Sequence, residues 1–405
     1  MRNPSKYRIP RPGAANATFL KRLLSVFGLL FGLTFRVHAQ TDPGQVAFSL
    51  EREGKLAEAE VAWAALAKQN PLKAEPLAHL GLIESKQEHY LEAIKHYQRA
   101  MALNPKMPGL RLNLGLALFK ASDYQQTIAD LDPLLKAQPE DQQLTILIGM
   151  SEYGLGHFAD ASRLLMQASS REPQNQTLLL TLAHSCLLSS QYPCVLDAYH
   201  QLIALNAESA EVDMLVGEAL DQMKDPDGAI REFRAAIKAE PKEPNVHFGL
   251  GYLLWTKAQY PEAAQEFRSE IANDPRHLQA MLYLADAEMQ MGEMERAQAR
   301  LEQIEKIKPD IALQHLDLGI VYGESGRKQE AATQLEAAVK LAPNNVNAHY
   351  RLARLYRSMG KASGAKVEFD KASSLNKAED ERLLKIMSTV PSNQRPGQVP
   401  IQQPQ

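Results

Sequence analysis

Proline recurs at positions 71, 105, 139, 173, 241, 275, 309 and 343, and every interval between them is a whole multiple of 34 residues. The two silent beats fall on Ala207 and Lys377. A second column in the same register holds Ala47, Gly81, Gly115, Gly149, Ala183, Gly217, Gly251, Ala285, Gly319 and Ala353, all glycine or alanine. A third holds Ala59, Ala93, Thr127, Ala161, Val195, Ala229, Ala263, Ala297, Ala331 and Ala365. Four residues further on, Trp63, Tyr97, Leu131, Leu165, Tyr199, Phe233, Phe267, Leu301, Leu335 and Phe369 form a large apolar column. Four columns kept in step without an insertion describe one supersecondary unit stacked on copies of itself, not a chain wound around a single core.

Each column has a physical reason. Leu80, Leu114, Leu250, Leu318 and Leu352 precede the small column, and apolar residues at three- and four-residue spacing around it predict an amphipathic helix of about fourteen residues. Gly54, Gly156, Gly292, Gly326 and Gly360 follow at the point where a helix end favours positive φ. A second amphipathic helix carries the alanine and large apolar columns on one face. Proline then closes the unit, since it has no amide hydrogen and pushes the preceding residue out of helical geometry. Glycine or alanine on the first helix facing alanine on the second is expected to let the two axes approach, with the large column filling the adjoining volume.

A 34-residue helix-turn-helix unit with a small residue on each helix and a closing proline resembles the tetratricopeptide repeat (TPR). Leu80-Gly81, Tyr90-Leu91-Glu92-Ala93-Ile94, Tyr97 and Ala100 to Pro105 carry the likeness most fully. It covers residues 40–379 as about ten tandem repeats, weakest in the fifth and first, and implies an all-α, right-handed superhelical solenoid of antiparallel helix pairs. Residues 380–390 read as one more helix capping the last repeat, with acids at its start that suit the helix dipole. Residues 391–405 are Pro, Gln, Ser and Gly with almost nothing apolar, and are expected to be a disordered tail.

Before the repeats, six basic residues and no acid lead into the apolar stretch Leu23 to Phe35, which is followed by a seventh, Arg36, and by Val37, His38 and Ala39. This is the pattern of a secretory signal over residues 1–39, cut after Ala39. It predicts a periplasmic or secreted protein; left uncleaved, the segment becomes a membrane anchor. Without those 39 residues, 38 basic groups face 48 acidic ones, a formal charge of −10, which disfavours nucleic acid as partner.

Residues able to carry chemistry are few. His184 and Ser185 are adjacent and so diverge by about 100° on a helix, and His79, His89 and His96 lack metal-site spacing. Met281, Met289, Met291 and Met294 are soft enough to bind Cu(I) but are also ordinary core filling. No enzyme, cofactor or metal site is expected. Cys186 and Cys194 flank the turn of repeat five, and the sequence leaves open whether they pair as a disulfide or are two small buried residues.

The resemblance implies that the first helix of each repeat lines a concave groove in which a protein segment, extended or helical, is held. By that register Leu112, Leu116, Phe119, Ile146, Met150, Tyr153, Leu180 and Leu187 make it apolar in the middle. Glu218, Asp221 and Asp286 follow, with Phe248, Tyr252, Trp255 and Tyr283 around them; Tyr350, Arg351, Arg354 and Arg357 then turn it basic. The Lys and Asn pattern with which chaperone-binding members grip a C-terminal carboxylate is replaced by Gly44, Phe48, Ala78 and Leu82. The expected function is a non-catalytic, extracytoplasmic scaffold for protein–protein interaction, in envelope assembly or secretion. The alternative is an accessory protein of exopolysaccharide or cellulose export, whose groove aromatics stack on a polysaccharide.

Overall fold

The computed structural model describes residues 42–389, as twenty α-helices; among the described residues there is no strand. The expected signal segment and the tail lie outside them. The chain divides into two compact units between Glu208 and Ser209.

The first unit holds five hairpins: α1 (Pro43–Arg52) with α2 (Leu56–Gln69), α3 (Ala74–Lys86) with α4 (Tyr90–Leu103), α5 (Leu110–Lys120) with α6 (Tyr124–Ala137), α7 (Gln142–Gly154) with α8 (Phe158–Ser169), and α9 (Gln176–Leu188) with α10 (Tyr192–Ala204). The second holds α11 (Ala210–Gln222) with α12 (Pro226–Ala239), α13 (Val246–Thr256) with α14 (Tyr260–Asn273), α15 (Leu278–Gln290) with α16 (Met294–Ile307), α17 (Ala312–Glu324) with α18 (Lys328–Leu341), and α19 (Val346–Ser358) with α20 (Ala362–Thr389).

The turn inside each hairpin is the same. Its closing residue has positive φ in all ten: the five glycines expected, and also Glu88, Ser122, Ser190, Lys224 and Ala258. The next amide donates five residues back, as His89 does to Glu84 O (2.8 Å), Gln259 to Leu254 O (3.0 Å) and Arg327 to Tyr322 O (2.9 Å). This satisfies carbonyls that the end of the first helix would otherwise leave bare. Second helices start on a side-chain cap where the sequence supplies one, as Asp123 Oδ1 does for Gln126 N (3.2 Å) and Asp225 Oδ1 for Gly228 N (2.9 Å).

The small column works differently from the expectation of two small faces meeting. A Cβ added to Gly81 would lie 2.8 Å from the Tyr97 ring, and one on Gly251 2.8 Å from the Phe267 ring. Leu131 blocks Gly115, and Phe233 blocks Gly217, in the same manner. The glycine therefore faces the large column and makes room for the ring or leucine, which leaves Tyr97, Phe233 and Phe267 essentially without solvent contact. The alanine column is buried beside it, with Ala93, Ala229 and Ala263 fully enclosed.

From α3 to α9, and from α11 to α19, each first helix packs against the first helix of the following hairpin, and no pair of second helices packs comparably. The first-helix layer is thus the inner side of each unit. At the far end, α20 continues to Thr389 as a single helix of 28 residues. The separate capping helix expected over 380–390 is therefore, as far as it is described, the continuation of the last second helix. Lys377 stands where proline closes other repeats, and Asn376 to Glu381 offers nothing that breaks a helix.

Candidate partner-binding face

The inner face of the second unit is built on α13, whose start is held from outside. Pro241 and Pro244 delay the helix to Val246, and the carboxylate of Glu270 on α14 accepts from Asn245 N and Phe248 N, both at 3.0 Å. A buried carboxylate here satisfies orphan donors and complements the helix dipole. His277 Nδ1 accepts from Ala280 N (3.0 Å), which leaves Nε2 to donate to Asn245 Oδ1 (2.9 Å). One imidazole thus caps α15 and ties it to α13.

So fixed, α13 presents Phe248, Tyr252 and Trp255 at i, i+4 and i+7, along one stripe. Phe248 is 1% exposed and belongs to the core, against the expectation that it faces the groove; Tyr252 and Trp255 are half-buried. Tyr283, from α15, stands nearly perpendicular to both, with centroids 5.5 Å from Tyr252 (86°) and 5.1 Å from Trp255 (82°). Edge-to-face packing of this kind is worth about 0.5 to 1.5 kcal/mol per pair beyond area burial. The indole Nε1 of Trp255 donates to Asp286 Oδ2 at 2.6 Å, one first helix further along.

The acids of this face are sparsely neutralised. Glu218 on α11 is pushed up to about 8 by burial and by the charge of Asp221. Asp317 on α17 is 7% exposed and rises to about 7, because burial and the Asp286 charge outweigh Arg351. Sequence reasoning did not single out Asp317. Its signal was an acid set between Leu316 and Leu318 immediately before Gly319, at the phase occupied by Tyr283 and Arg351.

The basic end is less uniform than its sequence. Arg351 is half-buried beside Asp317, and its Nε donates to Asn347 Oδ1 at 3.4 Å. Arg354 is exposed. Arg357 lies over the Phe369 ring at 5.5 Å, and Tyr350 packs edge-on against the same ring at 5.7 Å, so both lean on their own hairpin. In the first unit Phe119 packs on Tyr124 (5.7 Å), and Tyr153 on Phe158 (5.8 Å) and His184 (6.3 Å). Phe119 and Tyr153 thus pack on the second helix of their own hairpin, and Tyr153 also reaches the first helix of the next.

The residues weighed for chemistry have structural work. Ser185 is buried and donates to Thr181 O at 2.7 Å. His79 stacks on Trp63 at 4.2 Å and bonds Glu51 at 2.8 Å, while His96 bonds Glu84 at 2.7 Å; both pair with largely buried carboxylates. Met281 is fully buried. Cys186 and Cys194 are joined as a disulfide across the α9–α10 turn, with Cα atoms 5.9 Å apart. Among the described residues no group of three or more His, Cys, Asp or Glu is placed to hold a metal ion, and no helix is long and apolar enough to cross a membrane.

Models described as tetratricopeptide repeat or TPR repeat match residues 81–122, 196–244, 217–276, 254–316 and 324–388. The chain belongs to this family. Proteins of the family are generally scaffolds for protein interaction, and this chain is a TPR scaffold. It is similar to BBSome complex member BBS4 of Bos taurus, at 23% identity over 236 residues, covering 55% of this chain and 45% of that protein. It is also similar to cellulose synthase 1 operon protein C of Komagataeibacter xylinus, at 22% identity over 244 residues, covering 56% of this chain and 18% of the other. The chain spans less than half the length of each. Among solved structures, MamA aligns at 22% identity and a TM-score of 0.39 over 41% of this chain and 97% of its own. YrrB, described as a TPR protein with an unusual peptide-binding site, aligns at 18% and 0.39 over 48% and 98%.

Proposed function

We propose that this protein is an extracytoplasmic scaffold, without catalysis of its own, that holds a protein segment along the inner face of its second unit, within an envelope-assembly or secretion complex. The observation that carries the reading is the array of half-buried Tyr252, Trp255 and Tyr283 rings, held edge to face and bonded to Asp286. Packing of one repeat on the next requires apolar bulk but not an indole whose N–H is satisfied by the following first helix. Aromatic and arginine side chains dominate binding energy at many protein interfaces. Export is supported by the basic, then apolar, sequence before Gln40. Sequencing the mature N-terminus is expected to give Gln40, and recovery of only the full-length chain in membranes would establish the anchor instead.

The test is capture of the native partner from envelope extract by wild-type and substituted protein. Trp255→Ala and Arg354→Ala should each weaken capture with helicity unchanged, the buried anchor by about thirtyfold, or roughly 2 kcal/mol. The arginine effect should shrink as salt rises if the partner is acidic. Wild-type capture by both variants would place the functional surface elsewhere. A polysaccharide partner is the second reading, favoured by the aromatic faces and the likeness to the cellulose synthase operon protein. It would keep the Trp255 dependence and show little response to salt.

A further inference from the structure

Asp317 is a carboxyl in an uncomfortable place. It is 7% exposed and, among the described residues, accepts no hydrogen bond and forms no ion pair. The charged groups acting on it are Asp286 from α15 and Arg351 from α19; none on α16 or α18 does. Arg351 is directed to Asn347 and does not close on the carboxyl. Asp286, its other neighbour, is held by the Trp255 indole at 2.6 Å, and Tyr283 packs against that indole at 5.1 Å. Two carboxyls from successive first helices therefore repel one another beside an aromatic wall, and the one cation acting on Asp317, Arg351, does not close an ion pair with it. Burying a carboxyl without a donor is costly unless it takes up a proton or a cation arrives. Two carboxyls are fewer than a calcium ion takes from protein, and among the described residues no third ligand joins them. Aromatic faces beside them suit an organic cation with an aliphatic stem.

We propose that the second unit reads a lysine or arginine of the bound segment, placing the cationic head against Asp286 and Asp317 and the stem along Trp255 and Tyr283. This rests on the reading that the inner face binds a protein segment, and adds which side chain it selects. Binding is linked to protons: Asp317 must be ionised to receive the cation, and its proton leaves only near pH 7. Affinity therefore rises with pH, by about tenfold between pH 6 and 8.

The test is calorimetric titration of the full chain with a capped nonapeptide of alternating lysine and alanine around a central tyrosine, and with its glutamine counterpart. The lysine peptide should bind more tightly than the glutamine peptide, with the stated rise from pH 6 to 8. Asp317→Asn should lower its affinity about tenfold at pH 8 and abolish the rise. Asp286→Asn, which keeps an acceptor for the indole, should also weaken it and serves if the first variant does not fold. Equal affinity for the two peptides, no binding of the lysine peptide at pH 8, or a pH response that persists in Asp317→Asn overturns the inference. Those results leave the groove reading standing if Trp255→Ala still weakens partner capture. Conversely, lysine-peptide binding with unaffected partner capture would defeat that reading while keeping the cation site.

Discussion

Ala258 closes the turn between α13 and α14 at a φ of +57°, and Lys224 does the same between α11 and α12 at +68°. A left-handed conformation costs an L-residue about 1 to 2 kcal/mol, and glycine much less. Ala258→Gly should therefore stabilise the second unit by about 1 kcal/mol, read as a higher denaturant midpoint, and a lower midpoint would contradict the turn geometry. Asp317 carries the other residue-scale prediction. Unfolded, its carboxyl loses its proton near pH 4; folded, it holds the proton to about pH 7, so its contribution to stability is full below pH 4 and lost as pH rises to 7. Asp317→Asn should match the wild type in unfolding free energy at pH 4 and exceed it at pH 8, by roughly 4 kcal/mol. An equal difference at both pH values would mean that the side chain is not held protonated by its surroundings. A carboxyl kept at such a cost is characteristic of a binding site rather than of packing.

Between elements, the decisive contact is first-helix glycine against second-helix ring. Gly251→Leu would drive a branched side chain into Phe267, already 2.8 Å from a bare Cβ. Overpacking of this kind costs roughly 1 to 3 kcal/mol. Because each hairpin of a repeat array contacts only its neighbours, hydrogen exchange should quicken in α13, α14 and adjoining helices and stay slow in α19. Quickening throughout would show a more cooperative array. The disulfide is local in the same sense: it spans eight residues and joins the two helices of one hairpin. The length of α20 has an element-scale cause as well. Nothing after Lys377 interrupts the helix, so the chain has no reason to turn where the period alone predicts a boundary.

For the whole molecule, the hairpins were legible because their signals are local: proline closes, glycine turns, and small and large columns keep phase over the chain. The five non-glycine turns were not, since only backbone geometry imposed by the flanking helices puts Glu88 or Ala258 at positive φ. Depth on the inner face was legible only in part. Phe248 and Tyr252 share one stripe, and which of them is sealed depends on Phe267, His277 and Tyr283 arriving from other helices. Asp317 escaped notice for the same reason, its burial being a property of three successive first helices. Placement of partners on the inner face of the second unit is the proposal on which the function rests. Its most direct test is a photo-crosslinking amino acid placed at Tyr283, with the exposed Val367 of α20 as the outer control at 63% exposure. Adducts to one partner are expected from position 283 and none from 367, and adducts from 367 alone would contradict that placement.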